Sequence, residues 1–409
     1  MKNIMVAQSG GPTVAINASL AGVITGAKEY GFNKVYGAVH GILGVLNEDF
    51  VDLTEAAEDE NFIPTLTCSP SMYLGSCRYR MKDAAEDNSD YQKIFDVFEK
   101  NEIDAFLYIG GNDSMDTVMK VSQYGKEHGY NVAVVGIPKT IDNDLMATDH
   151  TPGFGSAAKY IATTMLEIAH DTFIYPVKSV TIVEIMGRDA GWLTAATCLA
   201  RNEYSTAPHL IYLPEVPFDT EGFVEDVKGV LRQVDNCIVA VSEGIRDEQG
   251  RYISASGTAV DNFGHSQLSG AGKTLEYIIK DELGVKVRSI EVNVLQRAAA
   301  HMASLTDIEE SVALGKKAVE LASNGVTSVM TIVVRESNAP YVVSFSSADI
   351  SGIANEAKEV PVDWINAAGN DVTEEMVEYL APLIVGETAV VYENGLPKYA
   401  KIPHLNVQK

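Results

Sequence analysis

Residues 132–144 read Val132-Ala133-Val134-Val135-Gly136-Ile137-Pro138-Lys139-Thr140-Ile141-Asp142-Asn143-Asp144. The first six are apolar or small and do not alternate, which suits a strand buried on both faces of a parallel sheet. The run then changes abruptly to a cation, a hydroxyl and two carboxylates (Lys139, Thr140, Asp142 and Asp144). A helix cap needs one such side chain, not four, so the stretch reads as a site placed at a strand end. Phosphoryl transfer to an alcohol needs a base for the hydroxyl proton and cations for the moving group. Asp142 or Asp144 can be that base and Lys139 a cation.

The same arrangement recurs on either side. Ile4–Ala7 leads into Ser9-Gly10-Gly11, and Ala105–Ile109 into Gly110-Gly111-Asn112-Asp113. Val180–Ile185 leads into Met186-Gly187-Arg188, His209–Leu213 into Pro214-Glu215, and Ile238–Val241 into Ser242-Glu243-Gly244. Helical patterns fill the gaps at Ala15–Tyr30, Ser114–His128 and Ala157–Asp171. Thr306-Asp307-Ile308-Glu309 resembles a capping box opening a helix that Gly325 closes. Val292–Leu295 reads as a further strand. Strand alternating with helix predicts an α/β fold with mostly parallel sheets. Ligands of such sheets bind beyond the carboxyl ends of the strands, so all six clusters are expected to converge on one cleft. Two Rossmann-like lobes supply that many. We expect a first lobe over 1–155, completed by about 298–350, and a second over 156–297. Residues 351–409 form a C-terminal extension without an assigned place.

Each cluster suits a phosphate ligand. Gly10-Gly11 and Gly110-Gly111 let backbone N–H groups approach phosphate oxygens at helix N-termini. Asp113 beside those glycines suits Mg²⁺, which takes one or two carboxylates together with phosphate oxygens. Arg188, Arg288 and Arg297 can grip a phosphorylated substrate bidentately. Two glycine runs are decoys. Gly270-Ala271-Gly272-Lys273-Thr274 lacks the first glycine of a phosphate loop, having Gln267 there. Gly153-Phe154-Gly155 lacks the third glycine of a dinucleotide fingerprint, having Ala158. Both read as glycine-rich helix entries.

Composition narrows the partners. With 31 Lys and Arg against 56 Asp and Glu among 409 residues, the formal net charge is −25. No overall field attracts a nucleic acid or an anionic membrane, so a phosphate ligand must be held in a local pocket. Four cysteines without metal-ligand spacing point to a reducing, cytoplasmic setting rather than a disulfide framework. The first residues hold too few apolar side chains for a signal peptide, and no run is long enough to span a bilayer.

Taken in order, the segments at 9–11 (SGG), 75–78 (GSCR), 110–114 (GGNDS), 138–144 (PKTIDND), 186–188 (MGR), 214–215 (PE), 242–244 (SEG) and 295–297 (LQR) resemble the phosphofructokinase family over roughly residues 1–335. That resemblance implies two Rossmann-like lobes and a homo-oligomer, dimer or tetramer, with the sugar-phosphate site shared between subunits. It also implies Mg²⁺-dependent phosphorylation of the 1-hydroxyl of fructose 6-phosphate, a glycolytic step. Asp142 then matches the general base. Thr140 and Asp142 match sugar contacts, and Met186, Gly187, Arg188 and Glu243 match the sugar-phosphate site. Arg288 and Arg297 match the 6-phosphate arginines, the former donated by a neighbouring subunit. Gly11, Arg78 and Gly111 line the donor side.

Departures from the ATP-using pattern concern the donor. Asp113 and Lys139 stand where that pattern has glycines, a pair that resembles the pyrophosphate-dependent branch. Two unit charges ~4 Å apart at an effective dielectric of about 20 repel by ~4 kcal/mol, so Asp113 disfavours the additional phosphate of a nucleotide. Lys139 offers pyrophosphate a fixed cation. Asn112 replaces the family's magnesium-binding Asp, leaving Asn112 and Asp113 as the candidate metal pair. Ser179 stands in place of a substrate-binding Arg, which leaves room for a related acceptor such as sedoheptulose 7-phosphate. The competing readings are an ATP-dependent phosphofructokinase and a non-catalytic sugar-phosphate sensor. An intact TIDND argues against the sensor.

Overall fold

The computed structural model describes residues 2–254, 270–353 and 356–403. Gln267, which bears on the phosphate-loop decoy, and residues 354–355 and 404–409 of the C-terminal extension lie outside the described residues. The first sheet has seven strands, which we number in chain order: β1 (Asn3–Gln8), β2 (Lys34–Ala38), β3 (Phe50–Asp52), β4 (Ile103–Gly110), β5 (Ala133–Pro138), β10 (Val329–Asn338) and β11 (Tyr341–Asp349). Their spatial order is β11-β10-β5-β4-β1-β2-β3. The inner pairings are parallel, and only the edge pairs β10–β11 and β2–β3 are antiparallel. The second sheet holds β6 (Ser179–Ile185), β7 (Leu210–Tyr212), β8 (Asn236–Ser242) and β9 (Lys286–Glu291) in the order β7-β8-β6-β9, all parallel. The architecture is therefore α/β with two mostly parallel sheets. β1, β5 and β8 are buried along their whole length, as their continuous apolar runs require.

Residues 305–349 return to the first sheet. The helix Leu305–Ser323 packs on Ile16–Glu29 through glycines. A Cβ on Gly22 would lie 2.1 Å from the Val312 carbonyl oxygen, and one on Gly315 2.1 Å from that of Ser19. Any side chain at either position would force these helices apart.

Three local expectations are corrected. The strand predicted at Val292–Leu295 lies earlier, at Lys286–Glu291, because Asn293 adopts φ +47° and turns the chain into the helical turn Leu295–Ala298. The predicted capping box at Thr306 does not form, since the helix starts at Leu305 after Ser304. Asp307 instead accepts the Gly153 and Ser156 N–H groups at 2.9 and 3.0 Å, capping the helix Phe154–Phe173. Glu215 does not face the cleft, because its carboxylate accepts the N–H groups of Gly191 and Val360. The C-terminal extension packs its helix Glu374–Leu380 into the core, burying Met376, Tyr379 and Leu380 beside Trp192 and Phe154. Among the described residues, no helix is long and apolar enough to cross a membrane.

Candidate active site

Five of the six clusters meet in one cleft of about 530 Å³ at the carboxyl ends of the strands. Ser9, Gly10 and Gly11 follow β1, Gly111 to Ser114 follow β4, and Lys139 to Asp144 follow β5. Met186, Arg188 and Glu243 close the cleft from the second sheet, and Cys77 and Arg78 from the segment between β3 and β4. The Gly187 N–H group turns towards the Glu243 carboxylate at 3.3 Å.

The cations lie against the Ser9–Gly11 turn. Gly10 has φ +82°, and a Cβ there would sit 2.9 Å from Lys139 Nζ. A Cβ on Gly11 would sit 3.2 Å from Arg297 Nη1, so Arg297 reaches the same turn from the helical turn Leu295–Ala298. Lys139 is 2% exposed. Burial pushes its ammonium down to about 8, opposed by the attraction of Asp142 and Asp144. Burial, followed by the charges of Asp144 and Glu243, pushes Asp142 up to about 7. Burial also raises Asp144, and pushes Glu243 up to about 7. A carboxylate near 7 is matched to taking a proton at neutral pH. Asp142 Oδ1 is buried without a hydrogen-bond partner among the described residues.

Asp113 lies in the first turn of the helix Asn112–His128, whose N-cap is Gly111, so the Asp113 side chain is not a helix cap. Asn112 donates its amide to the Glu356 carbonyl at 3.0 Å, while its buried Oδ1 has no partner among the described residues. Asn112 and Asp113 thus offer hard oxygen donors of the kind Mg²⁺ takes.

Arg288 does not join the cleft. It starts from the amino half of β9 and points to the other end of the second sheet, where its guanidinium lies 3.7 Å from Asp171. Ser179 lines that same distant recess. The decoy helix entries are both filled by protein carboxylates. Glu184 accepts the Gly270 and Gly272 N–H groups, as Asp307 does at Gly153 and Ser156. Sequence reasoning missed Glu356 and Ala357, which line the cleft from the C-terminal extension. No spacing or composition signal marks them.

A family model described as phosphofructokinase matches residues 3–322. The pyrophosphate–fructose 6-phosphate 1-phosphotransferase of Halomonas elongata is 42% identical, the match covering 100% of this chain and 97% of that protein. The enzyme of the same name from Xanthomonas campestris is 43% identical with the same coverage. The crystal structure of a pyrophosphate-dependent phosphofructokinase from Marinobacter aquaeolei superposes with a TM-score of 0.88 at 39% identity, covering 100% of this chain and 98% of that one.

Proposed function

The chain belongs to the phosphofructokinase family, and on that premise we propose that it transfers a phosphoryl group from pyrophosphate to the 1-hydroxyl of fructose 6-phosphate. The products are fructose 1,6-bisphosphate and phosphate, and the reaction is reversible. The observation that carries this reading is that Lys139, against the Ser9–Gly11 turn, and Asp142 are buried in the same cleft, with Asp113 also lining it.

Asp142 accepts the proton of the 1-hydroxyl as its oxygen attacks the phosphorus. Its raised affinity for protons makes it a stronger base than an exposed carboxylate. Lys139 neutralises charge on the transferring group, and bound anion in turn favours the charged ammonium. Gly11, Gly111 and Arg78 face the pyrophosphate. Thr140, Met186, Gly187, Arg188 and Glu243 orient the sugar, and Arg297, matched to a 6-phosphate arginine, also reaches the Ser9–Gly11 turn on the pyrophosphate side. Arg288 serves the 6-phosphate of a neighbouring subunit in a homo-oligomer, since it sits too far from its own cleft. Asn112 and Asp113 would hold Mg²⁺, which supplies charge neutralisation on the pyrophosphate oxygens when bound. The acidic, cysteine-poor chain suits a cytoplasmic setting.

Initial rates with Mg²⁺, fructose 6-phosphate and each donor test the reading. We expect pyrophosphate to be preferred over ATP by about a thousandfold, the size of a ~4 kcal/mol repulsion. ATP preferred over pyrophosphate would overturn it. In the double variant Asp113→Gly, Lys139→Gly, ATP use should rise relative to pyrophosphate use.

A further inference from the structure

Residues 356–360 of the C-terminal extension form a strap that bonds to one site cluster after another. Asn112 Nδ2 donates to the Glu356 carbonyl, and the Lys358 N–H group donates to the Asp144 carbonyl at 2.8 Å. Trp192 Nε1 donates to the Lys358 carbonyl at 2.9 Å, and the Val360 N–H group to Glu215 at 3.0 Å. The Lys358 ammonium is folded inward. It donates to the carbonyl oxygens of Asp149 at 2.7 Å and Thr148 at 3.1 Å, and to Asn143 Oδ1 at 3.3 Å.

Asn143 is the residue between the two cleft carboxylates. It is 0% exposed and adopts φ +55°, in the left-handed region that Asn enters more readily than most non-glycine residues. Both ends of its amide are held by the C-terminal extension. Lys358 donates to Oδ1, and Nδ2 donates to Tyr379 Oη at 3.0 Å. Tyr379 Oη in turn donates to the Asp149 carbonyl at 2.7 Å, and the Arg335 guanidinium lies over the Tyr379 ring. Asp142 Oδ1, by contrast, has no hydrogen bond among the described residues to aim it. The direction of that carboxylate therefore follows from the backbone, which the Thr140 hydroxyl holds at the Asp142 N–H group, at 3.1 Å, and the Asn143 amide holds on the following residue.

We propose that Lys358 and Tyr379 are positioning residues for phosphoryl transfer: by clamping the Asn143 amide they aim Asp142 and Asp144 into the cleft. This inference rests on the reading of Asp142 as the proton acceptor. A misplacement of about 1 Å at a reacting group lowers rate by about a hundredfold without a matching loss of binding. A strap that only held the lobes together would instead lower the melting temperature and leave kcat of the folded enzyme alone.

Three variants of the full chain separate these roles in assays with pyrophosphate and fructose 6-phosphate. Lys358→Met should lower kcat about a hundredfold, with KM for both substrates within about threefold of the parent. Asn143→Gly frees the positive φ from strain while removing both anchors. It should lower kcat to a similar extent at nearly unchanged melting temperature, so it decides the question even if Lys358→Met folds poorly. Tyr379→Phe, losing one hydroxyl, should cost about tenfold in kcat, the size of one hydrogen bond. Parent enzyme without pyrophosphate turnover would overturn the functional reading and this inference with it. Parent turnover retained within about twofold in Asn143→Gly would overturn the inference alone.

Discussion

Two buried clusters of charge lie within a few residues of each other, and they are treated in opposite ways. In the cleft, burial pushes Lys139, Asp142, Asp144 and Glu243 towards their neutral forms. Behind the cleft, Asp149 is held below the ordinary carboxylate range and His150 above the ordinary imidazole range. There, burial opposes the charged forms but hydrogen bonds outweigh it. His150 Nδ1 meets Asp149 at 2.7 Å and its Nε2 meets Glu310. Arg335 Nε donates to Asp149 at 3.0 Å, and Tyr341 Oη donates to Glu310 at 2.7 Å. The same residue types therefore give either a scaffold or a reactive centre, depending on whether each charge is given its partners. Charges buried without full compensation are poised to exchange protons and to bind ions, which is the ground for the proposed chemistry in the cleft.

The largest effect expected from breaking this contrast is on turnover. Asp142→Asn should lower kcat by about 10²–10⁴-fold, the range general bases contribute, while the fold persists. Steady-state rates check this, and near-parent kcat would remove the base role. The same variant should gain stability. The folded Asp142 takes up its proton near 7, whereas the unfolded group does so near 3.8. Between those values the folded state holds more protons, so this group's contribution falls as pH rises through the window. Asp142→Asn should then melt higher than the parent at pH 8, with the gap closing as pH falls towards 4.

Behind the cleft the sign reverses. Asp149→Asn leaves His150 and Arg335 short of a buried counter-charge and should destabilise by about 3–5 kcal/mol. Asp149 contributes above its ordinary value and loses that contribution as pH falls through its depressed folded value. His150 contributes fully below 6.5 and loses its contribution as pH rises through its raised folded value. The deficit of Asp149→Asn should therefore be greatest between about 4 and 6.5. Urea denaturation of both variants across pH checks the opposite signs. Stabilisation by Asp149→Asn would show that the two clusters do not differ as described.

Legibility in the sequence followed the same division. The cleft loops could be read because glycines or charged and hydroxyl side chains, four of the latter at 139–144, follow directly on continuous apolar runs, a pattern that packing alone does not require. Lys358, Tyr379 and Asn143 could not. Their function depends on contacts between residues more than 200 positions apart, and their local patterns are those of any buried polar residue. The capping box read at Thr306 and Glu309 named the wrong side chains and the wrong helix: Asp307, between them, caps Phe154–Phe173, since a carboxylate caps whichever free N–H groups lie nearest in space. Glu215 misled for the same reason.

Arg288 and Arg297 extend the contrast to charge that is loosely paired. They lie nine residues apart and were read together, yet Arg297 reaches the Ser9–Gly11 turn while Arg288 starts from the amino half of β9 at the far end of the sheet. The Arg288 side chain is 49% exposed, and its 3.7 Å approach to Asp171 is too long for a hydrogen bond. A surface pair of that kind contributes little to stability, so Arg288→Ala should leave the melting temperature of the subunit nearly unchanged. If the residue completes the 6-phosphate site of a neighbouring subunit, its loss removes charge-assisted hydrogen bonds worth about 1.5–3 kcal/mol. KM for fructose 6-phosphate should then rise about 10–100-fold, with KM for pyrophosphate and kcat nearly constant. Mixing Arg288→Ala subunits with Asp142→Asn subunits sharpens the assignment, because a mixed assembly restores some sites carrying both an intact base and an intact arginine. Parent-like KM in those restored sites is the expected result. An unchanged KM in Arg288→Ala alone would return that arginine to the ordinary surface.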